Sequence, residues 1–157
     1  MKVGVLFVCL GNICRSPTAD AVLAHKVRAL GLQSRLRVDS AGTGDWHIGE
    51  PPDPRSQRHA ARRGYDLSKL RARQVLVEDL RRFDFVLAMD RDNLADLERI
   101  RPGAGSAEPR LLLSYGNSGL LDVPDPYHGD AQAFEKVLDL IEEAVDALLA
   151  HICAARL

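Results

Sequence analysis

Cys9 and Arg15 bracket the loop Leu10-Gly11-Asn12-Ile13-Cys14, and Ser16 follows directly. A thiol and a guanidinium at this spacing suit one task, a thiolate held beside a bound oxyanion. The thiolate is the reactive form of cysteine. An ordinary thiol titrates near about 8.5, and a helix start with an adjacent cation lowers this to roughly 3.5–7.5. A fall of about three units needs on the order of 4 kcal/mol of preferential stabilisation of the anion, which loop amides and one guanidinium can supply together. Arg15 offers a planar fork that makes two parallel hydrogen bonds to two oxygens of a phosphoryl group. Gly11 permits close backbone approach or a positive φ. Asn12 carries both a donor and an acceptor to hold the loop, and Ser16 is placed to donate to the Cys9 sulfur. The chain contains no G-x4-G-K-[ST] loop and no C-x-x-C pair, so neither nucleotide-loop nor dithiol chemistry is indicated.

The elements that must position this loop are legible on both sides of it. Val3–Val8 is a short apolar run and reads as a fully buried strand. Ser16 as N-cap and Pro17 at the first helical position open a helix over residues 17–30. Its apolar face carries Ala19, Val22, Leu23, Val27 and Leu30, and Gly31 ends it. Residues 36–40 read as a second strand entering the turn Ala41-Gly42-Thr43-Gly44. A Gly/Pro loop covers 45–54, a helix 54–63, a strand 83–89 and a helix 92–101. A fourth strand includes Leu111-Leu112-Leu113, and a loop runs from Gly116 to Gly129. A last helix over about 130–154 repeats Phe134, Val137, Leu138, Ile141, Val145, Leu148, Leu149 and Ile152 at helical period. Strands alternating with helices predict an α/β fold with a parallel sheet, and right-handed crossovers place helices on both faces. Sites in such sheets lie beyond the carboxyl ends of the strands, which gathers the loop 9–16, the turn after strand two and Asp90.

With 157 residues, 46% apolar, 27% charged and a net charge of -1, the chain predicts one soluble domain over residues 1–157. The near-neutral charge argues against a nucleic-acid footprint. No apolar run is long enough to span a bilayer, and no cleavage pattern follows Lys2, so a cytoplasmic protein is expected. Three cysteines do not make a disulfide framework. The five histidines lack metal-ligand spacing, and no metal or cofactor is expected. Trp46, the single tryptophan, lies in the Gly/Pro loop, either as a core plug or with Tyr127 as a pair flanking an aromatic ring. Arg55, Arg58, Arg62 and Arg63 read as one solvated helical face, or as a guide for acidic ligands.

Val8-Cys9-Leu10-Gly11-Asn12-Ile13-Cys14-Arg15-Ser16-Pro17 closely resembles the phosphate loop of low-molecular-weight protein tyrosine phosphatases. The resemblance continues in family order at Asp39-Ser40-Ala41-Gly42-Thr43, Trp46-His47-Ile48-Gly49, Ala72-Arg73-Gln74, Met89-Asp90 and Asp125-Pro126-Tyr127. It implies a four-stranded sheet in the order 2-1-3-4 with the phosphate loop at the strand 1–helix 1 junction. It implies hydrolysis of phosphotyrosine in proteins or peptides through a phosphocysteine on Cys9, with inorganic phosphate as product. Arg15 then binds phosphate, Leu10, Gly11, Asn12, Ile13, Cys14 and Ser16 complete the loop, and Asp125 is the general acid and base. Trp46 and Tyr127 form the rim, while Ser40 and Asp90 support the loop. Cys14 resembles the family's second loop cysteine, implying a disulfide with Cys9 under peroxide that shields the nucleophile. Phosphoarginine phosphatases and thiol-dependent arsenate reductases resemble the same fold. The former tend to carry Thr at the position of Ile13, and the latter need a further cysteine pair. Two departures from the family pattern stand out, His128 where many members have a second Tyr and Leu70 where several have a His. A monomer is expected.

Thiolate Cys9 and protonated Asp125 must coexist in the active form. The kcat/KM of an aryl phosphate should therefore peak below about pH 7. A peak above about pH 8 would contradict this pairing of nucleophile and acid.

Overall fold

Strand β1, Val3–Cys9, is buried along its whole length, as expected for the centre of a parallel sheet covered on both faces. It pairs in parallel with β2, Leu36–Gly42, and with β3, Phe85–Ala88. A two-residue strand β4, Arg110–Leu111, completes the order β2-β1-β3-β4. The computed structural model describes all residues 1–157. Helices α1 (Arg15–Ala29), α2 (Pro54–Ala61), α3 (Asp79–Arg82), α4 (Arg91–Ile100) and α5 (Ala131–Arg156) complete the fold, with a 3₁₀ turn at Leu112–Tyr115. No helix is long and apolar enough to cross a membrane.

Side chains alternate across a strand, and β1 therefore feeds two cores. Val5, Phe7 and Cys9 join Val22 and Leu23 of α1 and Ile141, Val145 and Leu148 of α5 in the larger core. Leu6 and Val8 join Leu80, Phe83, Val86 and Leu97 in the smaller one. Burial of β1 on both faces fixes its register, because a one-residue slip would exchange the two sets. That register carries Cys9 to the carboxyl end of the central strand, opposite Gly42.

Several elements differ from the sequence-based expectations. Helix α1 begins at Arg15 after Cys14, which contributes no side-chain cap. Ser16 is thus inside the first turn, and its hydroxyl is engaged with Cys9 instead of capping. Pro17 remains in that turn, where its missing N–H leaves no gap in the helix. Leu112 and Leu113 are buried, but in the 3₁₀ turn and not in β4. Short apolar runs do not separate strand from helix by pattern. Strand β2 extends through Ala41 and Gly42, and the short α3 has no counterpart in the predicted elements.

Ile141 is fully buried in the larger core. Ile141→Ala should cost about 2–5 kcal/mol, read as a lower midpoint in urea with an unchanged slope. A loss below about 1 kcal/mol would show that this core relaxes around the cavity.

Candidate active site

The bend from Cys9 to Arg15 is held from outside through its carbonyls. Thr43 N donates to the Cys9 carbonyl at 2.9 Å, Gly44 N to Leu10 at 2.9 Å and Asp53 N to Ile13 at 2.8 Å. Thr18 reaches the Cys14 carbonyl through its N, at 3.3 Å, and through its hydroxyl, at 2.6 Å. In a planar trans peptide the next N–H points opposite the carbonyl. The amides of Gly11, Cys14 and Arg15 therefore point into the bend, and none of them donates to a protein atom. The Asn12 amide donates to Cys9 Sγ at 3.3 Å. Two contacts make this packing possible. Asn12 adopts φ 57, a left-handed conformation that asparagine tolerates better than most residues. Gly42 has no side chain where a Cβ would lie 2.7 Å from the Leu10 carbonyl oxygen.

Asn12 ties the loop to three other segments. Its Nδ2 donates to Ser16 Oγ at 2.8 Å and to Ser40 Oγ at 3.0 Å, and its Oδ1 accepts from Arg73 N at 3.0 Å. Ser40 lies beside Asn12. Ser16 Oγ lies 3.0 Å from Cys9 Sγ. Arg73 itself bridges Asp39 on β2 and Asp79 on α3, a brace that sequence reasoning missed because its partners lie in separate elements.

Arg15 is 3% exposed. Its Nη1 donates to Asp90 Oδ2 at 2.6 Å and to the Val123 carbonyl at 2.9 Å. Its Nη2 is 3.7 Å from Asp125 Oδ2. Burial opposes its charge, but Cys9, Asp90 and Asp125 outweigh that and hold the guanidinium above its ordinary range. Asp90 also caps α4, accepting from Asn93 N at 2.8 Å. Cap and ion pair are therefore one carboxylate. Asp125 is half exposed and accepts from Tyr127 N at 3.1 Å, a local turn between Pro124 and Pro126. Asp122, the other acidic residue of this loop, is bonded to Arg91, which holds its carboxyl below the usual range.

These groups surround a cleft of about 250 Å³, walled by Leu10, Ile13, Trp46, Tyr127, His47 and His128 above Cys9 and Arg15. Sites for drug-sized ligands run about 300–1,000 Å³, so this cleft suits one phosphorylated side chain better than a whole nucleotide. Trp46 is 67% exposed, which excludes its reading as a core plug. His47 was missed as a wall residue. It packs so close to Gly11 that a Cβ there would lie 3.1 Å from its Cδ2. The arginine row is not uniform either. Arg55 bonds Asp53 and the Tyr127 carbonyl, and Arg63 bonds Glu135, Asp139 and Glu142, while Arg58 and Arg62 are exposed. Cys9, Cys14 and Cys153 are free. Burial, offset in part by a hydrogen bond with Ser56, pushes the Cys14 thiol up to about 12.

A thiol beneath inward amides, on a four-stranded parallel α/β sheet, is the arrangement of a candidate cysteine-centred anion site. The low molecular weight phosphotyrosine protein phosphatase family model matches residues 4–156. The chain is 42% identical over 151 residues to the low molecular weight protein-tyrosine-phosphatase YfkJ of Bacillus subtilis, covering 96% of each chain. The crystal structure of YfkJ superposes with a TM-score of 0.93, covering 100% of this chain and 98% of YfkJ. A protein tyrosine phosphatase from Entamoeba histolytica, solved with Hepes in its active site, gives 0.94 at 34% identity, covering 99% and 100%. A drosophila arginine phosphatase gives 0.88 at 35% identity, covering 96% and 97%. The chain belongs to the low molecular weight phosphotyrosine protein phosphatase family and is by that membership a protein-tyrosine phosphatase, a hydrolase.

Asn12→Ala removes three side-chain hydrogen bonds and puts alanine at a positive φ. It should cost about 2 kcal/mol or more of stability and lower kcat on any phosphate ester. A variant with wild-type Tm and kcat would show that the loop is held by its carbonyl anchors alone. With its thiol displaced to about 12, Cys14 is protonated across the neutral range. Iodoacetamide at pH near 7 should leave Cys14 unmodified in the folded protein and label it on unfolding, as peptide mass spectrometry will read.

Proposed function

We propose that this chain hydrolyses phosphotyrosine monoesters of proteins through a phosphocysteine on Cys9. The observation that carries the reading is the set of amides at Gly11, Cys14 and Arg15 that line the cleft and have no acceptor in the protein. Backbone donors that converge on one point form an anion-binding concavity, and a dianionic phosphoryl group beside Arg15 would accept from them together. In the first step Cys9 Sγ attacks phosphorus in line with the aryl oxygen. The P–O bond breaks, Asp125 gives its proton to the leaving phenolate, and tyrosine departs. In the second step Asp125 takes a proton from a water that attacks the phosphocysteine. The S–P bond breaks, inorganic phosphate leaves, and the thiolate is received by the Ser16 hydroxyl and the Asn12 amide. Loop amides and the Nη2 side of Arg15 face the equatorial oxygens, where charge gathers in the transition state. Asp90 and the Val123 carbonyl fix the guanidinium, and Ser40 fixes Asn12. The aryl ring packs between Trp46 and Tyr127 over Ile13. No metal or cofactor enters either step.

The likeness to an arginine phosphatase makes phosphoarginine the rival substrate. Ile13 favours tyrosine, because an apolar side chain in the loop packs against an aryl ring and offers nothing to a guanidinium. Arsenate reduction needs a second reactive thiol in the loop's reach, and the raised Cys14 thiol is a poor one.

Cys9→Ser should abolish turnover of phenyl phosphate yet still bind inorganic phosphate by calorimetry. Quenching the wild type during turnover should trap phosphate on Cys9. Asp125→Ala should lose about 10²-fold or more on phenyl phosphate, and clearly less on 4-nitrophenyl phosphate, whose leaving group needs less protonation. Equal losses on the two esters would remove Asp125 as the acid, and faster release of phosphate from a phosphoarginine peptide than from its phosphotyrosine counterpart would reassign the substrate.

A further inference from the structure

Trp46 and Leu10 wall the catalytic cleft on one side and a second cavity of about 390 Å³ on the other. The indole is seated against Gly44, where a Cβ would come within 1.9 Å of Cζ3. The ring therefore stands as a partition, with 67% of Trp46 and 41% of Leu10 exposed. Val75 and Ile100 line the second cavity, and Asp96 and Arg99 pair with each other at 2.5 Å, adding no net charge to it. The Gln74 amide is already engaged with the Thr43 carbonyl. Apolar area thus continues past the partition, and the charged groups that border it neutralise one another.

We propose that this second cavity is a specificity subsite that receives an apolar side chain of the phosphoprotein substrate, two residues from its phosphotyrosine. The inference rests on the phosphotyrosine reading above. In an extended peptide, residues i and i±2 point the same way and stand roughly 7 Å apart. An aromatic wall in contact on both faces, at about 3.5–4.0 Å to each side, separates its two neighbours by the same distance. A phosphotyrosine on one face of Trp46 therefore delivers its i+2 or i−2 side chain to the other face, over Val75 and Ile100. An aliphatic side chain gains burial there, whereas a carboxylate would lose hydration without finding a free cation.

The test is kcat/KM on phosphotyrosine peptides carrying Leu, Gly or Asp at the i+2 and i−2 positions, with phenyl phosphate as a substrate too small to reach the cavity. The wild type should favour Leu over Asp at one of the two positions by about fivefold or more. Val75→Asp should abolish that preference, and Gln74→Trp, which fills the cavity from an exposed position, should do the same without placing a charge. Both variants should keep wild-type kcat/KM on phenyl phosphate. Wild-type rates equal within twofold across all peptides would overturn the subsite, as would a preference that survives both variants. A preference that weakens as enzyme concentration rises, with dimers seen by sedimentation, would assign the cavity to a second copy of the chain and equally overturn it. Absence of hydrolysis of every phosphotyrosine substrate, phenyl phosphate included, would instead defeat the underlying reading.

Discussion

The orientation of a few peptide groups governs this molecule. Backbone donors of the turn after β2, of the residue capping α2 and of α1 hold the carbonyls of Cys9, Leu10, Ile13 and Cys14 on the outside of the bend. The amides on the opposite side of those peptide units are committed to the interior. A loop free to relax would turn some carbonyls inward, and a cradle of mixed sign would repel a phosphate as often as it held one. Pinning the acceptors is thus what would make the loop an anion site on the proposed reading, before any side chain is considered. It also explains why the neighbouring segments are built as they are. Gly42 must lack a side chain for β2 to come so near Leu10, and Asn12 must tolerate a positive φ for the bend to close.

Arg15 extends the same constraint across the sheet. One Nη atom binds Asp90 at the start of α4 and the Val123 carbonyl in the loop that bears Asp125. Val123 N in turn donates to the Met89 carbonyl at 2.8 Å. Segments far apart in sequence therefore meet on one guanidinium at the carboxyl ends of β1 and β3. The parallel order β2-β1-β3 is what makes this meeting possible, because it delivers every strand's following loop to the same edge. Removing one partner of a buried charge is costly, so the ion pair fixes the loop geometry more than it adds to stability.

The parts of this arrangement that show in sequence are those whose cause is local. β1 is legible because both its faces are apolar, and α5 because one apolar stripe runs the length of the helix. The loop itself is legible because Cys9, Arg15 and the helix that follows stand within one short stretch. Ser16 reads as a cap because serine caps are common, yet the structure gives its hydroxyl a partner on the other side of the loop. Neither a solvated face nor a guide for acidic ligands describes Arg63, whose carboxylate partners lie on α5, over seventy residues away. Partners on other elements likewise hid Arg73 between Asp39 on β2 and Asp79 on α3, and the seat of His47 against Gly11. Leu112 and Leu113 read as part of a fourth strand but lie in the 3₁₀ turn, because a short apolar run does not say which backbone carries it. What sequence conceals here is pairing between elements, and pairing is what gives the site its geometry.

Local rules and global function part company at one place. Across the sheet, apolar side chains are buried and strands pair in register, as a consistent sequence requires. Between residues 9 and 16 the same chain keeps amides unpaired, buries an arginine and holds Asn12 in a left-handed conformation. Beside it, Trp46 stands out in solvent. The unpaired amides and the left-handed backbone at Asn12 oppose folding, while the side-chain bonds of Asn12 and Arg15 support it. Such a concentration of local cost within one bend is the physical mark of a site. On the proposed function a phosphoryl group would relieve most of it in one event, supplying acceptors to the amides and a counter-charge to the guanidinium. An aromatic ring bonded to that phosphoryl group would cover the indole as well. The chemistry assigned to Cys9 thus follows from where the fold leaves its donors without partners, and the fold can leave them so because its order is secured elsewhere.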